Sequence, residues 1–301
     1  MKHLFILNTH AGSKDSTPAL REKIEALGRD DVMIEYTACK GDARNIAERY
    51  AAQGDDLRVY ACGGDGTANE AMNGLIGCEN AALGVIPVGT GNDYVRSLPA
   101  EQDDFLNLEK MLSGTTVRVD VLRCGEHYAL GNVTAGYDCA VADRAQKNKR
   151  WPLVSGSFAY KLAIVQCLFT KRKHAFIPYA DGKRVELPDG YKTQMLAVAA
   201  KGRFYGGGIQ ATPCAILDDG RIDFMSIPTV PIRKFATLLG PFTRGEHIDN
   251  PKAPFIIHNK CRTMQFMNDG PLKVGIDGEM FVMENPVVTV VPKAIDIIIP
   301  R

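Results

Sequence analysis

Several features that would announce a function at once are missing from this chain. Its eight cysteines are scattered, with no C-x-x-C pair and no Cys/His cluster at zinc spacing. Reduced cysteines in a cytoplasmic protein are therefore expected. Charge of one sign is missing too: 36 Lys and Arg against 35 Asp and Glu leave +1, and no nucleic-acid partner is expected. No uninterrupted apolar run approaches the roughly 20 residues that span a bilayer, so any membrane role belongs at the surface. Met1–Leu7 reads as a first strand rather than a signal peptide. The G-x-x-x-x-G-K-[ST] string of a P-loop is absent, as is a dinucleotide fingerprint after the first strand. No Ser/His/Asp or Cys/His nucleophile arrangement can be argued from spacing.

What is present is ordinary globular composition and one concentrated stretch. A length of 301 residues suits about two domains, and 45% hydrophobic with 24% charged residues suits packed cores. Residues 57–93 organise the rest. The apolar run Leu57–Cys62 reads as a buried strand and leads into Gly63-Gly64-Asp65-Gly66-Thr67-Ala68-Asn69. Ala68, Ala71, Met72, Leu75 and Ile76 then recur at helical spacing. A second strand-like run, Leu83–Val88, ends in Gly89-Thr90-Gly91-Asn92-Asp93. Strand, glycine loop, helix, strand, glycine loop is how an α/β sheet offers backbone N–H groups to phosphate. Asp65 cannot be there to attract phosphate, whose charge it repels; a ribose, amide or metal-water anchor makes chemical sense.

The first ~125 residues alternate strand and helix, predicting a parallel sheet covered on both faces. Ser16 or Thr17 is expected to cap the first helix, with Pro18 in its first turn. A short helix is expected over Phe105–Leu112 and a strand over Val117–Leu122. After Cys124 strand-like runs follow one another at Tyr128–Val133, His174–Ala180, Gln194–Ala200, Ile222–Ile227, Phe255–Ile257, Met264–Met267, Leu272–Ile276 and Val287–Val291. Asp181-Gly182 and Asp277-Gly278 are turn dipeptides. This predicts a β-rich, antiparallel, sandwich-like domain, interrupted by helices over Asp138–Lys149 and Phe158–Thr170. The expected domains are 1–124 and 125–290, with 291–301 a terminal strand returning to a sheet already formed.

These residues carry a resemblance. Gly-Gly-Asp-Gly-Thr-x-Asn at 63–69 and Pro-x-Gly-Thr-x-Asn-Asp at 87–93 resemble the paired signatures of the diacylglycerol-kinase catalytic family. That family includes bacterial soluble lipid kinases and the sphingosine and ceramide kinases. The first element alone is shared with NAD kinases and phosphofructokinases. Asn8–Gly12 resembles the family's first nucleotide loop, with Thr9-His10 where Pro-x is usual. Asp218-Asp219-Gly220 resembles its metal loop, Arg244-Gly245-Glu246-His247 a bacterial-type segment, and Asp277-Gly278-Glu279 its catalytic turn.

The resemblance implies an NAD-kinase/diacylglycerol-kinase-like two-domain fold and an ATP- and Mg2+-dependent lipid kinase, with catalysis in the cleft between the domains. ATP would be held by Asn8, Thr9, His10, Ala11, Gly12, Thr37, Gly63, Gly64, Asp65, Gly66, Thr67, Ala68, Asn69 and Thr90. Asp93, Arg96 and Asp120 match a polar network near the phosphates. Asp219, with main-chain oxygens of Ile216 and Arg221, would organise a magnesium ion. Asp277 and Glu279 would stand at the acceptor hydroxyl, Glu279 as general base. Diacylglycerol leads as acceptor, and a homodimer is the assembly implied. A soluble-metabolite kinase of the NAD-kinase type and a silent nucleotide- or lipid-binding regulator are the alternatives.

Two further stretches stand out. Lys147, Lys149, Arg150, Lys171, Arg172 and Lys173 bracket Trp151, Leu153, Phe158, Tyr160, Leu162, Ile164, Val165, Leu168 and Phe169. Basic residues around an aromatic-apolar helix suit an anionic lipid surface, although the commoner use of such a segment is a helix packed on the β domain with solvated charges at its ends. Arg203-Phe204-Tyr205 followed by Gly206, Gly207 and Gly208 suits either close backbone approach or a mobile loop. His247 is assigned a structural turn role, and His10 a possible phosphate contact.

Overall fold

The computed structural model describes residues 1–12, 16–148, 151, 156–170 and 173–301. The chain forms two compact units, Met1–Val121 with Pro292–Arg301, and Leu122–Val291.

The first unit alternates strand and helix: β1 (Lys2–Asn8), α1 (Thr17–Glu25), β2 (Val32–Thr37), α2 (Asp42–Ala51), β3 (Leu57–Gly63), α3 (Asp65–Leu75), β4 (Ala81–Pro87) and a short α4 (Leu108–Leu112). Strand β5 (Thr115–Cys124) then leads into the second unit. The pairings β1–β2, β1–β3 and β3–β4 are all parallel. Both faces of this sheet are covered, so its strands read as continuous apolar runs: Leu4, Phe5, Ile6 and Leu7 are all buried, as are Val59–Cys62. Parallel strands place their C-terminal ends along one edge. Asn8, Thr37, Gly63 and Pro87 all end there, because Asn8 is in register with Thr37 and Gly63 with Pro87.

The second unit is antiparallel. Its strands are β6 (His127–Ala129), β7 (Asn132–Gly136), β8 (Ile177–Ala180), β9 (Lys183–Arg184), β10 (Gln194–Ala200), β11 (Ile222–Pro228), β12 (Ile257–Cys261), β13 (Thr263–Met267), β14 (Pro271–Ile276) and β15 (Glu279–Glu284). Its helices are α5 (Tyr137–Asn148), α6 (Gly156–Thr170) and α7 (Ile232–Thr243). One sheet runs β12-β11-β10-β7-β14-β15. The final strand, β16 (Val287–Ile299), pairs with β13 through residues 287–289. Farther along, its Asp296 and Ile297 pair parallel with β4 in the first unit's sheet.

Period-two alternation divides the second unit's core into two layers. Ala197 and Ala199 pack with Met264, Phe266 and Val288 between sheets. Leu196, Val198 and Ala200 point the other way, onto Tyr137 and Val141 of α5, Ala163 of α6 and Leu238 of α7.

Several elements differ from the sequence expectation. Ser16 stands at the N-cap of α1 without a side-chain hydrogen bond. The expected helix over Phe105–Leu112 is α-helical only from Leu108. The run Tyr128–Val133 is two strands, because the N–H groups of Leu130, Gly131 and Asn132 turn onto the Asp277 carboxylate instead of a neighbouring strand. The runs Val287–Val291 and Ile295–Ile299 are one continuous strand, with Lys293 at φ 50° within it. Helix α7, with Pro241 near its end, stands where the sequence predicts no helix.

Candidate active site

In the first unit the glycine loops gather by direct backbone contact. Gly63 C=O accepts N–H groups from both Val88 and Gly89, each at 3.1 Å. A Cβ at Gly89 would stand 2.3 Å from Gly64 Cα, so the two loops close only because residue 89 is glycine. Asp65 opens α3, and its Oδ1 accepts the Tyr94 N–H at 2.9 Å. Its carboxylate thus serves as an amide anchor that staples the second loop onto the first. Asn92, at φ 53°, donates through Nδ2 to the carbonyls of Pro87 (3.1 Å) and Gly89 (2.9 Å) and closes the 87–92 turn. Thr90 is exposed on that turn.

The first loop joins the same cluster. Asn8 accepts the His10 N–H at 2.9 Å and donates to Thr67 Oγ1 at 2.8 Å, tying residues 8–12 to α3. Ala11 N–H returns to Asn8 C=O, and Gly12 takes φ 79°. Thr9 Oγ1 and His10 Nδ1 lie 3.0 Å apart on the exposed side. Ala68 is buried beneath, and Asn69 receives Asn73 Nδ2 one turn on. A Cβ at Gly66 would meet open space, and the first turn of α3 carries the unpaired N–H groups of a helix N-terminus. Asp93 is buried and pairs with Arg96 at 3.9 Å. Asp120, 1% exposed, accepts the Lys293 N–H at 2.9 Å, a link to the middle of the returning strand.

In the second unit the expected catalytic turn divides its labour. The Asp277 carboxylate accepts three backbone N–H groups, from Leu130, Gly131 and Asn132, at 2.7–2.9 Å. Both of its oxygens thus hold the β6–β7 junction. Glu279 follows one residue after the Gly278 turn, half-buried at the start of β15.

The expected metal loop also differs. Lys201, fully buried, sends Nζ to Asp219 Oδ1 at 2.9 Å and to Arg221 C=O at 2.8 Å. Lys260 Nζ reaches Asp219 Oδ2 at 2.6 Å. Burial alone would raise the Asp219 carboxyl, yet hydrogen bonds from Lys260 and Lys201 outweigh it and bring the pKa down to about 2. Two of the three groups assigned to magnesium, Asp219 and the Arg221 carbonyl, thus already hold an ammonium; Ile216 is 48% exposed beside them. The residues present do not fit a divalent ion there, and among the described residues no His/Cys/Asp/Glu cluster is arranged to hold a metal.

Sequence reading missed a pocket in the second unit, with about 650 Å³ of empty space that includes its opening to solvent. Val141, Ile164, Leu196, Phe235, Leu238 and Phe255 are among its walls, and its acidic side chain is Asp138. Tyr205 Oη donates to Asp138 Oδ2 at 2.7 Å. The apolar surroundings push the Asp138 carboxyl up to about 6 against that hydrogen bond. The glycine run explains the placement of Tyr205. Gly206, Gly207 and Gly208 take φ 67–100°, and Tyr205 and Ile209 exchange backbone hydrogen bonds across the turn, so both reach the cavity. The available signals were an Asp inside the apolar stretch 135–141 and the heptad-like spacing of Phe235, Leu238 and Phe242.

Helix α6 carries exposed Phe158, Val165 and Phe169, while Ile164 lines the cavity. Trp151 is 55% exposed. Lys147 lies 4.0 Å from Asp143, and Lys173 is exposed. Lys149, Arg150, Leu153, Lys171 and Arg172 lie outside the described residues, as does the side chain of Tyr160. No helix among the described residues is long and apolar enough to cross a membrane. His247 is buried, its Nε2 3.0 Å from Ala211 C=O, and burial pushes its pKa down to about 4. That is a packed, neutral imidazole.

A parallel α/β unit with paired glycine loops, joined to an antiparallel β unit, defines a two-domain fold class. Within it, residues 2–124 match the diacylglycerol kinase catalytic domain and residues 131–299 the YegS C-terminal NAD kinase beta sandwich-like domain. The chain is 29% identical to a diacylglycerol kinase of Bacillus subtilis over 260 residues, covering 86% of this chain and 82% of that protein. It is 26% identical over 294 residues to a "Probable lipid kinase YegS-like" of Chromohalobacter salexigens, covering 94% and 90%. A crystal structure of a diacylglycerol kinase from Bacillus anthracis superposes with a TM-score of 0.72 at 22% identity, covering 99% of this chain and 96% of that one, and shares the fold. The chain belongs to the diacylglycerol-kinase family, with the YegS-type C-terminal domain, and is an enzyme of the lipid-kinase class.

Proposed function

We propose that the protein transfers the γ-phosphoryl group of ATP to a lipid hydroxyl, with diacylglycerol as acceptor and phosphatidic acid as product. One observation carries the lipid half of this reading: a cavity with largely apolar walls and a single acid–phenol pair, Asp138 and Tyr205. An acyl chain matches such walls, and a hydroxyl or ester near the chain's head matches the polar pair. A soluble dinucleotide matches neither, which disfavours the NAD-kinase alternative.

ATP, entering with its magnesium counter-ion as substrate, is assigned to the loops around Asn8, Gly63–Asn69 and Thr90. The α3 N-terminus and the loop amides take the phosphates. Asp65, Asn8 and Asn92 act on the loops rather than on phosphate, since each is hydrogen-bonded to protein. Glu279 accepts the acceptor's proton as the new O–P bond forms and the bond from Pγ to the β,γ-bridging oxygen breaks, releasing ADP. Asp277 fixes the turn that carries it. ATP is a cytoplasmic substrate, and the exposed aromatic side of α6 supports a working position at the inner surface of the membrane.

The test is radiolabelled ATP offered with diacylglycerol, monoacylglycerol, sphingosine, ceramide and phosphatidylglycerol in mixed micelles. Label in phosphatidic acid is the expected result. Label in another lipid would reassign the acceptor, and ADP release with NAD but with no lipid would overturn the reading.

A further inference from the structure

Lys201 stands at an unusual point in the second unit. It follows β10 directly, and Arg221 directly precedes β11. The two strands are antiparallel neighbours, with Ala200 opposite Asp223. Everything between them is a long excursion that carries Tyr205, the glycine turn and the acidic pair Asp218-Asp219. Lys201 reaches across its base to close it: Nζ binds a carboxylate 18 residues on and a carbonyl 20 residues on.

The backbone of the same residue faces the other way. Lys201 N–H and Gly202 N–H both donate to Gly131 C=O, at 2.8 and 2.9 Å. The Gly131 N–H in turn donates to Asp277. A continuous set of hydrogen bonds therefore runs from the Asp219 turn through Lys201 and Gly131 to the turn that bears Glu279.

We infer that Lys201 is the resident cation of the Asp219 turn, and that its ammonium takes the place in which a divalent ion would otherwise gather Asp219 and the Arg221 carbonyl. Three features carry this. The ammonium is wholly buried, and a buried charge persists only with partners that neutralise and hydrogen-bond it. Its two oxygens lie at 2.8 and 2.9 Å, lengths for N–H···O, whereas a magnesium ligand sits at roughly 2.1 Å. A second cation, Lys260, takes the other carboxylate oxygen, so a divalent ion would meet two ammonium groups at one carboxylate. The covalently attached charge carries no dissociation equilibrium. The turn is therefore closed whatever the magnesium concentration, and ATP-borne magnesium is left as the metal requirement of the reaction.

The inference does not depend on which lipid is phosphorylated, because its readout is stability and metal binding of the nucleotide-free protein. The full chain is melted in EDTA and in millimolar MgCl2, and titrated with Mn2+ by electron paramagnetic resonance. The wild type should melt at the same temperature in both and should bind no Mn2+ that Asp219→Asn abolishes. Lys201→Met should melt several degrees lower in EDTA, recover part of that loss in magnesium, and gain a Mn2+ site that a second substitution, Asp219→Asn, removes. A wild-type melting temperature that rises with magnesium, with the rise abolished by Asp219→Asn, would overturn the inference. So would a folded Lys201→Met protein indifferent to metal. Should Lys201→Met stay insoluble with and without magnesium, the wild-type melting and Mn2+ measurements decide alone.

Discussion

The two carboxylates that flank Gly278 stand in different surroundings. The Asp277 oxygens are spent on three backbone N–H groups, so Asp277→Ala leaves buried donors unsatisfied. It should lose about 3 kcal/mol or more of stability, read from urea unfolding. Glu279→Gln should unfold at wild-type urea concentration and bind ATP normally, yet turn over ~100-fold or more slowly; wild-type turnover would reject it as the base. Asp138 gives a pH signature. Its folded carboxyl titrates at about 6, above the ordinary 3.8, so the native state binds that proton more tightly than the unfolded chain. Its contribution is fully present below 3.8 and is lost as pH rises through about 6. Asp138→Asn, which retains an acceptor for Tyr205, should therefore gain roughly 2–3 kcal/mol at neutral pH and nothing near pH 4. Melting temperatures across that interval check it: a gain of the same size at both ends would show that packing, not titration, is responsible. The motif letters at 63–69, 87–93 and 277–279 were legible in the sequence, but which carboxylate in each is spent on backbone was not. That depends on what stands opposite after folding, and Asp277's partners are some 145 residues away in the chain.

At the scale of elements, the glycine loops work as a pair. An added methyl at Gly89 meets backbone on Gly64, which cannot swing aside as a flexible side chain would. Gly89→Ala should part the loops and weaken ATP binding about tenfold or more, seen by titration with a fluorescent ATP analogue, while the packed sheet beneath keeps its fold. An unchanged affinity would show that the loops' close approach is not what shapes the site. Helix α6 has two audiences: Ala163 and Cys167 are buried in the core, and Phe158, Val165 and Phe169 are exposed. The sequence pattern, apolar nearly all round, favours a packed helix over a membrane-facing one; the structure shows that one face packs and another does not. Phe158→Ser with Phe169→Ser should cut co-sedimentation with phosphatidylglycerol vesicles severalfold and leave the melting temperature near wild type. Equal sedimentation of the two proteins would remove α6 as the contact.

For the whole molecule, the chain passes from one unit to the other twice, through β5 and back through β16. The return is structural for the first unit: Ile295, Ile297, Ile298 and Ile299 are all buried there. At roughly 1.5–3 kcal/mol per buried isoleucine, their loss removes about 6–12 kcal/mol, comparable to the whole stability of an ordinary domain. A chain ended at Val291 should therefore fail to show cooperative unfolding of the nucleotide-loop unit by circular dichroism and calorimetry; a normal transition would show that the unit is complete without its last strand. The sequence by itself determined the alternation of strand and helix up to residue 125, the β-rich remainder and the two glycine signatures. These follow from local periodicity and from glycine's backbone freedom, which neighbours in the chain suffice to express. Only the tertiary structure decided that Lys201 closes the Asp219 turn, that Asp277 accepts three backbone N–H groups, and that Asp138 and Tyr205 share an apolar cavity. Each of those depends on groups far apart in sequence meeting in a low-dielectric interior, where a charge is kept only if the fold brings it a partner.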